Sequence, residues 1–294
     1  MASALLKKEP PARWDSSNDR LTSKQFQRLA AFIQDYSGIK MPPTKMTMVE
    51  GRLRRRVRAF DFKSLSEYYD YLFEQDGLET EQVHLIDVVT TNKTEFFREP
   101  EHFRALTDRL LPRIVSERRV NSRHPIKVWS AAASTGAEAY TTAMVLAEFE
   151  RLHGDISSLI FATDICTEVL RIAQLGIYPA DMLAPVSSDL RARYVMRSKD
   201  RKADTVRIVP ELRAQLRFAR LNLMDLTYPL DRDMDVIFCR NILIYFEKQT
   251  QQTVLNRLCD HLRPGGYLIL GHSESLSGFD LPVNLAGPTT FRKG

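Results

Sequence analysis

From Ile126 to Gly271 the chain alternates short apolar runs, IKVWSAA, SLIFATD, LRFARLNL, DVIFCRN and GYLILG, with segments of helical character. This alternation constrains the fold more than any other feature. Each run is apolar nearly throughout, as a strand must be when crossover helices cover both faces of its sheet. The region is therefore expected to form a parallel sheet in an α/β domain. Ligands of such open sheets sit beyond the carboxyl ends of the strands. The residues just after each run, 134 to 138, Asp164, 222 to 225 and 240 to 245, become the site candidates.

The residues before this region read as helices. Thr22 and Gln25 have capping-box spacing, and Phe26, Leu29, Ala30, Ile33 and Tyr36 recur at helical intervals until Gly38 supplies a stop. A second helix carries Arg52, Arg54, Arg55, Arg56 and Arg58. Ser64 with Glu67 opens a third before a break at Gly77, and Val83, Ile86 and Val89 mark a fourth. The expected organisation is a mobile leader over 1–19, an all-α domain over 20–90 and an α/β domain over 91–294. Within the last, residues 187–219 are more charged than their surroundings and contain the strand-like TVRIV. They read as a helix and a small antiparallel hairpin inserted into the domain, or as a long crossover.

At 294 residues the chain is long enough for one full α/β core and a smaller second unit. No apolar run approaches the roughly 18 residues of a membrane span, and the N-terminus has no signal-like apolar segment. Three widely spaced cysteines, Cys166, Cys239 and Cys259, each in apolar sequence, suit a reducing, cytoplasmic compartment, and no metal is expected. Residues 1–100 hold 16 basic against 15 acidic side chains, so the net charge of +5 needs a local source. Residues 45–60 supply one, with Lys45 and the five arginines against Glu50 alone. A solvated helix face or a docking stripe for an acidic partner both fit. Nucleic acid is not expected, because no aromatic-interleaved RNA motif accompanies the arginines. Nothing in the sequence calls for an obligate dimer, so a monomer is expected.

KVWSAAASTGAEAYTTAMVLAE has the form of a strand, a small-residue turn and a helix. Gly136 is its only glycine, which excludes the three-glycine dinucleotide fingerprint, and a P-loop would need G-K-[ST]. The next run ends in Asp164, where an acid can accept both hydrogens of a ribose diol. Turn and acid together suggest an adenosine moiety held without a pyrophosphate. VVTTNKTEFFREPEHF sets Asn92, Thr94 and Arg98 at the junction of the two domains, where capping and surface ion pairing are the plain alternatives to a site role.

The blocks TTNKTEFFRE, SAAASTGAEAY and CRNILIYF, in this order and spacing, resemble the chemotaxis receptor methyltransferases called CheR, and GHSES at 271–275 fits that family's last strand. The resemblance spans about residues 20–292. It implies an all-α N-terminal domain joined to a Rossmann-like domain that binds S-adenosylmethionine (AdoMet) and carries a small inserted β-subdomain. It further implies transfer of a methyl group to glutamate side chains on the cytoplasmic domain of methyl-accepting chemotaxis receptors, leaving S-adenosylhomocysteine. By position, the family's cofactor contacts fall on Asn92, Thr94, Arg98, Glu138, Asp164, Asn222, Leu223, Arg240 and Asn241, and the residues that assist transfer on Arg98 and Tyr245. The arginines of the second helix, Arg52, Arg54, Arg55, Arg56 and Arg58, would then face carboxylates around the methylation sites. The chain departs from the family where GEEPYS is replaced by Gly136-Ala-Glu-Ala-Tyr-Thr, which retains the second acid, and where SKDRKAD lacks the glycines of relatives that capture a receptor's C-terminal pentapeptide. An RNA or small-molecule methyltransferase would suit a basic protein, but the Asn-Pro-Pro-Tyr type of loop is missing. A non-catalytic AdoMet-binding adaptor would be marked by loss of Arg98 or Tyr245, and both are present.

Overall fold

The computed structural model describes residues 19–118, 120–200 and 203–294, so the expected mobile leader lies, apart from Asp19, outside the described residues. They divide into two compact units. One takes the chain up to Phe32 together with Met41–Val89, and the other takes Ile33–Lys40 together with Thr90–Gly294.

The first unit is all helical: α1 (Ser23–Ser37, whose last turn belongs to the second unit), α2 (Met46–Ala59), α3 (Leu65–Glu74) and α4 (Leu78–Val89). The capping box forms as its spacing predicts, with the Gln25 amide donating to Thr22 Oγ1 at 3.2 Å and the Thr22 amide donating to Gln25 Oε1 at 2.9 Å. Val49, Leu53 and Val57, four residues apart, form the buried stripe of α2. Glu50, Glu81 and Asp87 are buried here, and the first two show the partnering that burial of charge requires. Glu50, 0% exposed, accepts from the Leu21 amide and from Arg20 Nη1 at 2.7 Å. Glu81, 1% exposed, takes two bonds from Arg56 at 2.6 and 3.0 Å and one from the Tyr68 hydroxyl.

That pairing changes how the arginine segment reads. Arg56 is committed to Glu81, Arg52 donates to the carbonyl of Val89, and Arg54 donates to the carbonyl of Asp19 at 2.9 Å. At about 100° per residue, Arg52, Arg55 and Arg56 fall on one side of α2 and Arg54 and Arg58 on another. The five do not make a single stripe, and only Arg55 and Arg58 are exposed.

The second unit opens with a helix in three pieces: α5 (Pro100–Ala105), a π-helical turn (Leu106–Leu110) and α6 (Leu111–Glu117). The dislocation has a local cause, since Pro112 has no N–H to give and its ring would strike the carbonyl four residues back; the wider turn avoids both. Then follow β1 (Ile126–Ala131), α7 (Ala137–His153), β2 (Ser158–Asp164), α8 (Thr167–Leu175), β3 (Ile177–Pro179), α9 (Ser188–Tyr194), β4 (Val195–Arg197), β5 (Thr205–Ile208), α10 (Pro210–Gln215) and β6 (Leu216–Arg220). The chain ends with β7 (Met234–Cys239), α11 (Lys248–His261), β8 (Leu262–Leu270), β9 (Val283–Gly287) and β10 (Thr290–Lys293).

The large sheet has the order β6-β2-β1-β7-β8-β10-β9, parallel from β6 to β8 and antiparallel at β10 and β9. All five apolar runs are its parallel strands. Chain order reverses between β1 and β7, which is where a doubly wound sheet opens a crevice for a ligand. A second, antiparallel sheet, β3-β5-β4, takes its third strand from Ile177–Pro179, upstream of the 187–219 segment, while Leu216–Arg220 at the end of that segment belongs to the large sheet. Glu148 of α7 fastens α9, accepting from Arg193 and from the Tyr194 hydroxyl at 2.7 Å each.

GHSES is not in the last strand but forms the turn after β8, and the final strands are the β9–β10 hairpin. Close approach explains the turn: a Cβ at Gly271 would lie 2.5 Å from Asn241 Nδ2. The three cysteines are buried, and no disulfide joins them. No helix among the described residues is long and apolar enough to cross a membrane.

Candidate functional site

The crevice between β1 and β7 is walled by the turns that leave these two strands. After β1, Ala132, Ser134 and Gly136 all have positive φ (60°, 52° and 87°), so left-handed residues alternate through the turn and curl its backbone. Asp164, at the end of β2, holds this curl in place. Its Oδ2 accepts from the Ser134 amide at 2.8 Å and its Oδ1 from the Cys166 amide at 2.9 Å. The Ser134 hydroxyl donates to the carbonyl of Asn92 at 2.8 Å, and Asn92 Nδ2 donates to Thr90 Oγ1, which brings the strap 90–98 against the turn. Thr94 and Arg98 lie on that strap, both half-buried, with Arg98 Nη1 donating to the carbonyl of Lys93.

Arg240, just after β7, is the hub of the other wall. Its side chain is 2% exposed. Nη1 donates to Glu138 Oε2 at 2.9 Å, and Nη2 to Glu99 Oε2 at 3.0 Å and to the carbonyl of Arg98. Glu138, in the first turn of α7, also accepts from Ser130 Oγ at 2.6 Å. Glu99 accepts from Asn241 Nδ2 at 3.3 Å and from the His272 amide at 3.2 Å. Burial opposes ionisation of Glu99, but the adjoining guanidinium prevails and holds its carboxyl below the ordinary carboxylate range. Burial and then the same guanidinium push the His102 imidazole down to about 4.

Two observations bear on what the crevice can hold. Two carboxylates face one guanidinium, so the formal charge around Arg240 is −1 before any ligand arrives, which favours a cationic guest. Arg240 Nε and Thr135 Oγ1 are buried with no hydrogen-bond partner among the described residues, and each costs stability unless a ligand or solvent meets it. AdoMet, which carries a sulfonium and an ammonium, fits the charge, and its carboxylate and hydroxyls could meet the two buried polar atoms.

Asn222 and Leu223, past β6, are buried beside Ile33–Lys40, the segment that leaves α1 for this unit. Asn222 Nδ2 donates to the carbonyl of Tyr36 at 2.6 Å, and the Lys40 amide donates to the carbonyl of Tyr245 at 3.0 Å. Gly38 turns the chain there at φ 75°, and a Cβ on it would lie 2.8 Å from Met224 Sδ. Tyr245 ends a 3₁₀ turn, Leu243–Tyr245, and is half-buried.

Three positions bonded to the candidate residues were not picked out from the sequence. Glu274, in the GHSES turn, accepts from four backbone amides: Ile242 and Leu243 on Oε1, Asn241 and Gly271 on Oε2, all between 2.7 and 2.9 Å. It sets the backbone from which Asn241 and Tyr245 project. Burial pushes its carboxyl up, against the pull of the four amides. Glu99 was overshadowed by its neighbour Arg98, and Tyr36 by its place in a helical pattern. The acid in a turn following a parallel strand was the available signal for Glu274. The structure thus joins Asn92 to Asp164 through Ser134, joins Glu138, Arg240 and Asn241 through Glu99, and ties Asn222 to Tyr245 through residues 33–40, while the five arginines of α2 lie in the other unit.

Comparison with known proteins gives the family. The family model described as "CheR methyltransferase, SAM binding domain" matches residues 92–290, and "CheR methyltransferase, all-alpha domain" matches residues 24–90. The chain is 38% identical over 272 residues to the chemotaxis protein methyltransferase of Escherichia coli, covering 92% of this chain and 91% of that protein. It is 34% identical over 278 residues to the chemotaxis protein methyltransferase of Borreliella burgdorferi (94% and 96%), and 36% identical over 270 residues to chemotaxis protein methyltransferase 2 of Pseudomonas aeruginosa (92% and 93%).

Proposed function

The chain belongs to the CheR methyltransferase family, and from that premise we propose that it transfers the methyl group of AdoMet to glutamate side chains on the cytoplasmic domain of chemotaxis receptors, forming glutamyl methyl esters. The observation that carries this reading is Arg240, buried between Glu99 and Glu138 beside the curled β1 turn, which leaves a net negative crevice at the switch point of the sheet. Asn92, Thr94, Arg98, Glu138, Asp164, Asn222, Leu223, Arg240 and Asn241 would hold the cofactor. When bound there, AdoMet would supply an electrophilic sulfonium methyl, with the carbon–sulfur electron pair left on sulfur.

No proton has to move. A glutamate with a reference pKa of about 4.3 is ionised roughly 500 to 1 at pH 7, so a general base would add nothing. The protein's task is alignment and exclusion of water. Arg98 would clamp the substrate carboxylate, and the Tyr245 hydroxyl would donate a hydrogen bond that orients it. Arg55 and Arg58, the exposed members of the arginine segment, would steer an acidic receptor surface. We take residues 20–90 and 91–294 as the two domains, a monomer as the working unit and the cytoplasm as its location.

Incubation with labelled AdoMet and either receptor cytoplasmic fragments or total RNA tests the reading. Base-labile label on the receptor is expected. Label on RNA would favour a nucleic-acid methyltransferase, and cofactor uptake without transfer would favour an adaptor.

A further inference from the structure

We propose that Glu99, His102 and His272 form a binding site for a divalent metal ion of the zinc class beside the crevice, sharing Glu99 with the Arg240 network and adding two imidazoles outside it. One donor atom from each of the three lies within 4.8 Å of the other two. Glu99 Oε2 stands 3.5 Å from His102 Nδ1 and 4.0 Å from His272 Nε2. Donors about 2.1 Å from a tetrahedral ion are about 3.4 Å apart, so the Glu99–His102 edge already has coordination spacing. His272, half-exposed in the turn after β8, is the member free to close the remaining gap. Two imidazoles and a carboxylate suit zinc rather than magnesium or calcium, which take all-oxygen sets, and they leave a fourth position open.

A second observation points to a ligand independently. The His102 side chain is 2% exposed, and its Nε2 lies 2.7 Å from Thr289 Oγ1, which fixes the ring. Its Nδ1 faces the cluster and has no hydrogen-bond partner among the described residues. An imidazole nitrogen buried without a partner costs stability, and a metal ion would satisfy it. Arg240 Nη2 and the His272 amide already occupy two directions on Glu99 Oε2, at 3.0 and 3.2 Å, so the ion would share this oxygen with them. The three ligands come from the end of the 90–99 strap, the first turn of α5 and the turn after β8. A bound ion would pin these segments together and with them the carboxylate that orients Asn241 and Arg240.

The test uses the full chain, free of any histidine tag, stripped with chelator and titrated with Zn2+ by calorimetry, with Co2+ as a spectroscopic probe. One ion per chain is expected, with the visible absorption of a tetrahedral Co2+ site and a rise in melting temperature on Zn2+ addition. His272→Ala, at a half-exposed position, should weaken binding by about 100-fold or more and abolish the thermal shift, whereas His153→Ala, on an exposed histidine of α7, should change neither. Absence of Zn2+ binding, or equal binding by the parent and both variants, overturns the proposal. Because the readouts are stoichiometry, absorption and melting, failure here leaves the methyl-transfer reading standing, and failure of methyl transfer leaves this site untouched.

Discussion

Replacing Glu274 by Gln tests whether one buried carboxylate sets the loop that carries Asn241 and Tyr245. The amide keeps the size and shape of the side chain but has one accepting oxygen in place of two. In the parent, each carboxylate oxygen accepts from two amides. In Glu274→Gln one pair stays bonded, and the other pair meets an NH2 group, donor against donor. Two buried N–H groups are then left without acceptors at about 1–3 kcal/mol each, giving a loss of about 2–6 kcal/mol. Against a typical total of about 5–15 kcal/mol this is large but survivable, which is why glutamine is a better probe than alanine. Denaturant unfolding monitored by the fluorescence of buried Trp129 should show the loss, and turnover should fall as the 3₁₀ turn loosens. A loss under about 0.5 kcal/mol, the range of an inconsequential surface change, with turnover intact would refute the assignment.

Tyr245→Phe is expected to slow turnover far more than it weakens AdoMet binding, and equal catalytic rates in the two proteins would remove the hydroxyl from the reaction. On α2, Arg56→Met should cost about 3–5 kcal/mol because it strands buried Glu81. Arg55→Glu should leave the melting temperature unchanged and weaken receptor association, an effect that fades as salt is raised at constant pH. The carboxyl of Glu148, despite partial burial, is lowered from 4.5 to about 2 by Arg151, Tyr194 and Arg193. A depressed carboxyl stabilises the fold above its unfolded pKa and loses that contribution as pH falls from about 4.5 toward about 2, so the melting temperature of Glu148→Gln should fall less than the parent's across that window.

Much of the architecture was readable because it rests on local and periodic signals. The Thr22–Gln25 capping box, the Ser64 cap, the Gly38 stop and the five apolar strands follow from spacing and from burial on two faces, and the structure keeps them. Asp164 and Glu138 were legible because strand ends in an open sheet are where ligands bind. The third strand of the small sheet was not, since the three residues Ile177–Pro179 carry no period of their own and become a strand only by pairing with Thr205–Ile208.

What the sequence determined, then, is the kind of fold, the points where strands end and the residue types available there, since each depends on neighbours within a few positions along the chain. Only the tertiary structure decided which of those residues meet: Glu274 with the loop 241–243, Glu99 with Arg240, Tyr36 with Asn222, and Arg56 with Glu81. These partners lie 25 to 186 residues apart. A buried charge or amide must find its partner wherever packing places it, so distance along the chain holds no record of the choice.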